Sequence, residues 1–235
     1  MKNTSPIAVI GAMPQEVNAL TLQLTNRETL TTAGVVMHHG QLNGQPVVVT
    51  QSGIGKVNAS IATTLVIEHF APRAVINTGS AGGIGKGLMV GDIVIGDSVA
   101  HHDVDVTAFG YQMGQMADMP AGYPSDSQLI NIAKSSAKAF PNAYIHRGQI
   151  VSGDQFIATS ERFAAIKKHF PKALAVEMEA AAIAQTCYRF ATPFVVVRAI
   201  SDLANEQAEQ SFDEFIEQAG RHSAAMVSAM IADLR

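Results

Sequence analysis

The sequence predicts an α/β layered fold in one domain spanning residues 1–235. Two observations carry this. Short apolar runs of strand length alternate with helix-period segments from one end of the chain to the other. No repeat, linker or low-complexity tract interrupts that alternation.

The elements follow in order. Ile7–Gly11 is an apolar run meeting a glycine turn, as a buried first strand does. Pro14 to Leu24 reads as a helix with proline at its first position and Glu16 in its first turn. Val35–Leu42 and Gln45–Gln51 flank Asn43-Gly44, a strong hairpin signal. Gly53-Ile54-Gly55 leads into a helix over 57–70, and Ala74–Thr78 is a buried strand ending in a glycine-rich loop. Val90–Ile95, Gln149–Ser152 and Phe194–Ala199 are further strands; helices are expected over 127–140, 160–169 and 212–234, and in an Ala-rich run opened by Glu177-Met178-Glu179. Residues 97–125 form a segment too long for an ordinary connection. It carries Val104, Val106, Phe109, Tyr111, Met113 and Met116, apolar surface that a subunit interface would cover.

Composition excludes several classes. With 47% hydrophobic and 15% charged residues, the chain can bury a large core and is not a disordered polymer. A net charge of −4 without a basic stretch argues against nucleic acid as partner. One cysteine, Cys187, rules out an internal disulfide. No Cys/His spacing suggests zinc, and His101-His102 beside Asp103 and Asp105 reads as hydrogen-bonding surface rather than a metal site. The run Ile7–Ile10 is far shorter than a signal-peptide core, and no apolar run approaches a membrane span; the cytoplasm is the expected compartment.

The most informative stretch is Val176–Asp202. It places Glu177, Glu179, Arg198 and Asp202 at the edges of apolar elements, where isolated charge is costly. Stability alone does not put them there. Asp202 follows a buried strand, so desolvation favours its protonated form, suited to a general acid; the competing reading is a helix N-cap. Glu177 is read as either a helix N-terminal acid or a functional one.

The motifs Gly11-Ala12-Met13-Pro14-Gln15-Glu16, Ser52-Gly53-Ile54-Gly55-Lys56 and Asn77-Thr78-Gly79-Ser80-Ala81-Gly82-Gly83 occur in order. They are followed by Val90-Gly91-Asp92, His102 to Tyr111, Val151-Ser152-Gly153-Asp154, Val176 to Glu179, and Arg198-Ala199-Ile200-Ser201-Asp202. This ordered set resembles the bacterial 5′-methylthioadenosine/S-adenosylhomocysteine nucleosidases of the nucleoside phosphorylase superfamily. The resemblance implies a three-layer α/β/α sandwich around a mixed, twisted, partly barrel-like sheet, and a cofactor-free homodimer. It implies hydrolysis of the N-glycosidic bond of adenosine thioethers, with 5′-deoxyadenosine or 6-amino-6-deoxyfutalosine as further substrates. By resemblance, Glu16 activates water, Glu179 binds the ribose hydroxyls and supports a ribosyl cation, and Asp202 protonates adenine. Met178 and Ser80 lie by the ribose, and Arg198 holds the water and a hydroxyl. Ser201, Phe156 and Ile157 read adenine. Met13, Ile54 and Phe212 form the pocket for the 5′ group, completed by Val106 and Phe109 of the second subunit. Related phosphorylases carry phosphate-binding arginines where this chain has Glu16 and Asn77, so hydrolysis is favoured over phosphorolysis. A silent nucleoside sensor is the remaining alternative, and the retained carboxylates argue against it. The sequence departs from more familiar members at Pro14-Gln15, Gln112-Met113 and Ala117, near the pocket mouth.

Overall fold

The computed structural model describes residues 5–137, 144–205 and 207–234. Its strands are β1 (Ile7–Gly11), β2 (Thr25–Thr32), β3 (Val35–Leu42), β4 (Gln45–Gln51), β5 (Ala74–Gly83), β6 (Ile93–His101), β7 (Tyr123–Pro124), β8 (Ile145–Ser152), β9 (Ala173–Glu177) and β10 (Phe194–Asp202). Its helices are α1 (Pro14–Thr21), α2 (Lys56–Phe70), α3 (Ser127–Ser136), α4 (Ser160–His169), α5 (Ala180–Arg189) and α6 (Ala208–Asp233).

One mixed sheet organises the chain in the order β10-β6-β8-β9-β5-β1-β4-β3-β2, with β7 beside β6. Because β5 also pairs with β10, the strands β5, β10, β6, β8 and β9 close into a ring. β1, β4, β3 and β2 extend from it as an open wing.

Side-chain alternation builds the layers. Ala8, Ile10, Val48, Val75, Val94 and Val196 lie in one apolar cluster with Ala59, Ala62 and Val66 of α2 and Ala180, Ile183 and Cys187 of α5. The intervening Ile7, Val9, Val47, Ile76, Ile93 and Val195 lie in a second, with Val17 and Leu20 of α1, Leu129 and Ile130 of α3, and Val227, Met230 and Ile231 of α6. Both sheet faces are covered, which is why the central strands are apolar at successive positions rather than every second one. The result is the expected α/β/α sandwich, with a barrel at one end.

The structure corrects several boundaries. α1 ends at Thr21, before Leu24. β5 continues through Gly83, so the expected glycine-rich loop is strand. Its small residues let other chains approach: a Cβ at Gly79 would meet Glu16 Oε1 at 2.6 Å and run into the Arg198 guanidinium. β6 begins at Ile93, and Val90–Asp92 is turn; the strand then consumes the first residues of the expected 97–125 loop. β8 starts four residues before Gln149, at Ile145. Glu177 closes β9 rather than opening a helix, and α5 starts at Ala180. The edge strand β2 has too little apolar patterning to be read from sequence; six of its eight residues are exposed. Residues 138–140 of the helix expected over 127–140 lie outside the described residues.

Candidate active site

The C-terminal ends of β1, β5 and β10 run parallel and converge, the usual place for a site in such sheets. Beside them, β9 delivers Glu177 and the turn into α5 delivers Met178 and Glu179. Together they enclose a cavity of about 260 Å³. Its walls include Met13, Glu16, Ile54, Ser80, Phe156, Ile157, Met178, Glu179, Ser201, Asp202 and Phe212, all expected from the sequence.

Glu16 is held by the start of α1. Pro14 occupies the first helical turn, which puts Glu16 where its carboxylate folds back on the helix N-terminus. Oε2 accepts the N–H groups of Ala12 (2.7 Å) and Met13 (3.0 Å). Oε1 accepts the Ser80 N–H (2.9 Å) and hydroxyl (3.1 Å), tying α1 to β5.

Glu179 caps no helix with its side chain; Oε1 accepts the Gly55 N–H at 2.9 Å. Burial raises its pKa, and the neighbouring Glu177 carboxylate adds to the rise, against the opposing pull of Arg198 and the Gly55 N–H. The result is about 8. Asp202 ends β10, far from the start of α6, so it is not that helix's N-cap. Burial also raises its pKa; the Ala204 N–H (2.9 Å) and Ser201 hydroxyl (2.9 Å) oppose this.

Arg198 is almost wholly buried and does not line the cavity. Nη2 pairs with Glu177, reaches Asn77 Oδ1 at 2.8 Å and approaches Glu179 Oε2 at 3.7 Å. In this structure it pairs with Glu177 and lies beside Glu179, behind the cavity wall. Asn77 is equally committed, donating to the Ile10 carbonyl at 2.9 Å. Glu177, left open by the sequence, does two jobs. Its Oε2 caps α5 through the Glu179 and Ala180 N–H groups (2.9 and 2.8 Å), and it takes the Arg198 and Ser152 hydrogen bonds. It also lines the cavity.

Phe156 and Phe212 meet edge-to-face, centroids 5.7 Å apart, and with Ile54 make an apolar, partly exposed wall. Val106 and Phe109 stay outside this cavity; Phe109, on the 3-10 turn Thr107–Phe109, is 81% exposed. Sequence reasoning missed Gln155, which follows the Gly153-Asp154 turn next to Phe156 and carries no periodic signal. Among the described residues no group of three or more His, Cys, Asp or Glu could hold a metal ion.

The lining is thus acidic on one side and apolar on the other, with no Lys or Arg in it among the described residues. It suits a neutral ligand that develops positive charge, and it opposes an anion.

A mixed sheet closed at one end, with such a cavity at its strand ends, is the architecture of the phosphorylase superfamily, whose family model matches residues 6–232. The chain is 53% identical over 95% of its length to a 5′-methylthioadenosine/S-adenosylhomocysteine nucleosidase of Exiguobacterium sp., covering 96% of that protein. Among solved structures it resembles the enzyme of that name from Neisseria meningitidis, in complex with methylthio-immucillin-A. The TM-score is 0.96 and the identity 53%, covering 98% of this chain and 100% of that one. It also resembles a futalosine hydrolase of Helicobacter pylori, with TM-score 0.92 and 34% identity over 98% of this chain and 99% of the other. The chain belongs to the 5′-methylthioadenosine/S-adenosylhomocysteine nucleosidase family of the phosphorylase superfamily, and is an N-glycosidic hydrolase.

Proposed function

We propose that the chain hydrolyses the N-glycosidic bond of 5′-methylthioadenosine and S-adenosylhomocysteine, releasing adenine and a 5′-thioribose. The observation that carries this is the cavity itself: four buried carboxyl groups, Glu16, Glu177, Glu179 and Asp202, in a lining that lacks a cation among the described residues. Adenine leaves with the C1′–N9 bonding electrons and needs a proton, which Asp202 is suited to keep and then deliver to N7. The ribosyl cation left behind is stabilised by the Glu179 carboxylate, which also accepts from the ribose hydroxyls. Glu16 takes a proton from the water that attacks C1′. Its four donors fix its orientation, and Ser80 gives it a direct link to the ribose side of the cavity. Arg198 acts through the carboxylates it holds.

Phe156, Ile157 and Ser201 form the adenine end, and Met178 packs on the ribose. Met13, Ile54 and Phe212 take the 5′ substituent. A second copy of the chain completes that pocket with Val106 and Phe109, and the exposure of Phe109 supports the assignment. This reading makes the protein a cytoplasmic, single-domain homodimer without cofactor. 6-Amino-6-deoxyfutalosine is a second substrate to be tried, favoured by the likeness to the Helicobacter pylori hydrolase.

The test is incubation with methylthioadenosine in phosphate-free buffer. Free adenine and methylthioribose support the reading. Release that waits for phosphate and yields a sugar 1-phosphate overturns it in favour of a phosphorylase; no release in either buffer favours a sensor.

A further inference from the structure

Three motif residues that the chemistry above leaves unused meet beside the cavity. Lys56 opens α2, and its Nζ binds Asp103 Oδ1 at 2.6 Å, with both side chains largely buried. Asp103 Oδ2 accepts the Asp154 N–H at 2.9 Å, and Asp154 Oδ1 accepts the Lys56 N–H at 2.7 Å. The circuit closes on itself and joins segments 47 and 51 residues apart. Burial alone would raise the Asp103 pKa, but the Lys56 ammonium and Asp154 N–H hold it below the usual value.

Each member of the circuit neighbours a working part of the site. Gly55, which donates to Glu179, immediately precedes Lys56. Gly55 has φ 95°, a left-handed backbone that needs an outside restraint to aim its N–H. Asp154 precedes Gln155, Phe156 and Ile157 of the cavity wall. Asp103 begins the segment that carries Val106 and Phe109.

We propose that Lys56, Asp103 and Asp154 are positioning residues, a clasp that aims the Gly55 N–H at Glu179 and sets the Phe156 wall against it. The inference rests on the assignment of Glu179 to the ribose. A long side chain with one cation fixes the first residue of α2, and an exposed loop alone would not hold that alignment against thermal motion. The charged groups facing Glu179 are Glu177, Arg198 and Glu16, and none of them belongs to the clasp. Loosening the clasp therefore removes a single interaction from Glu179, the Gly55 hydrogen bond that favours its ionised form.

The experiment compares the wild type with Lys56→Met, Lys56→Arg and Asp103→Asn, using methylthioadenosine turnover in phosphate-free buffer from pH 5 to 9. Lys56→Met should raise KM by about tenfold, the equivalent of one hydrogen bond to a charged group. The acidic limb of kcat/KM should move to higher pH, since Glu179 loses a donor. Lys56→Arg should restore both toward wild type, and Asp103→Asn should give a smaller version of the Met effect. Unchanged KM and pH profile in Lys56→Met overturn the clasp, as does a lowered melting temperature without either change. If the wild type itself releases no adenine, the assignment of Glu179 has failed rather than the clasp.

Discussion

Glu16→Gln is isosteric, but the structure predicts that it is not neutral. The carboxylate accepts from four donors: the Ala12 and Met13 N–H groups on one oxygen, the Ser80 N–H and hydroxyl on the other. An amide has one oxygen. If its NH2 faces Ala12 and Met13, two buried N–H groups lose their acceptor. If it faces Ser80, the hydroxyl can rotate to accept, but the Ser80 N–H is left opposed to another donor. The second orientation costs less and will be adopted. One orphaned buried donor costs about 1–3 kcal/mol. For a chain of this size each kcal/mol lowers Tm by roughly 2–4 °C, so differential scanning calorimetry should show a fall of roughly 2–12 °C. Adenine release should fall by about 10²–10⁴-fold through loss of the base. The two readouts separate the claims. An unchanged Tm refutes the four-donor account of Glu16, and near-normal turnover refutes its role toward water.

Three further outcomes are expected. Asp202→Asn should lower adenine release by at least about 10²-fold while an adenosine thioether still binds by calorimetry, since the change removes the transferable proton and keeps the side-chain shape; turnover at the wild-type rate removes Asp202 from the mechanism. Glu179, raised from 4.5 to about 8 in the fold, contributes stability that is full below pH 4.5 and lost as pH rises through 8. Urea unfolding should therefore show Glu179→Gln gaining stability on the wild type from pH 5 to pH 8.5, and parallel pH curves would contradict the burial argument. Gly220→Ala puts a methyl into the Gln15 backbone, where α6 crosses α1, so it should destabilise the fold and reduce activity by shifting Glu16; unaltered Tm and turnover would show that the crossing can relax.

Much of the cavity lining was legible because the elements that form it carry their own local signals. Pro14 two residues before Glu16 marks a helix start, and Asp202 at the end of an apolar run marks a carboxyl held at the buried end of a strand. The hairpin bounds followed from Asn43-Gly44, both of which adopt positive φ. β2 escaped notice because an edge strand need not be apolar, and β9 because five residues ending in Glu177 look like the approach to a helix.

The amino-acid sequence by itself determined the alternation of buried strands and helices, the motif order, and the acids that line the cavity. Tertiary structure decided what those acids and their cation do to one another. Arg198 finds Glu177 21 residues away and Asn77 121 residues away, and Glu16 reaches Ser80 across 64 residues. Closure of the barrel through β5 and β10 likewise depends on pairing between remote segments. Local propensity and periodicity act over a turn or a strand pair, whereas the partner of a buried charge is set by which chain ends the sheet brings together.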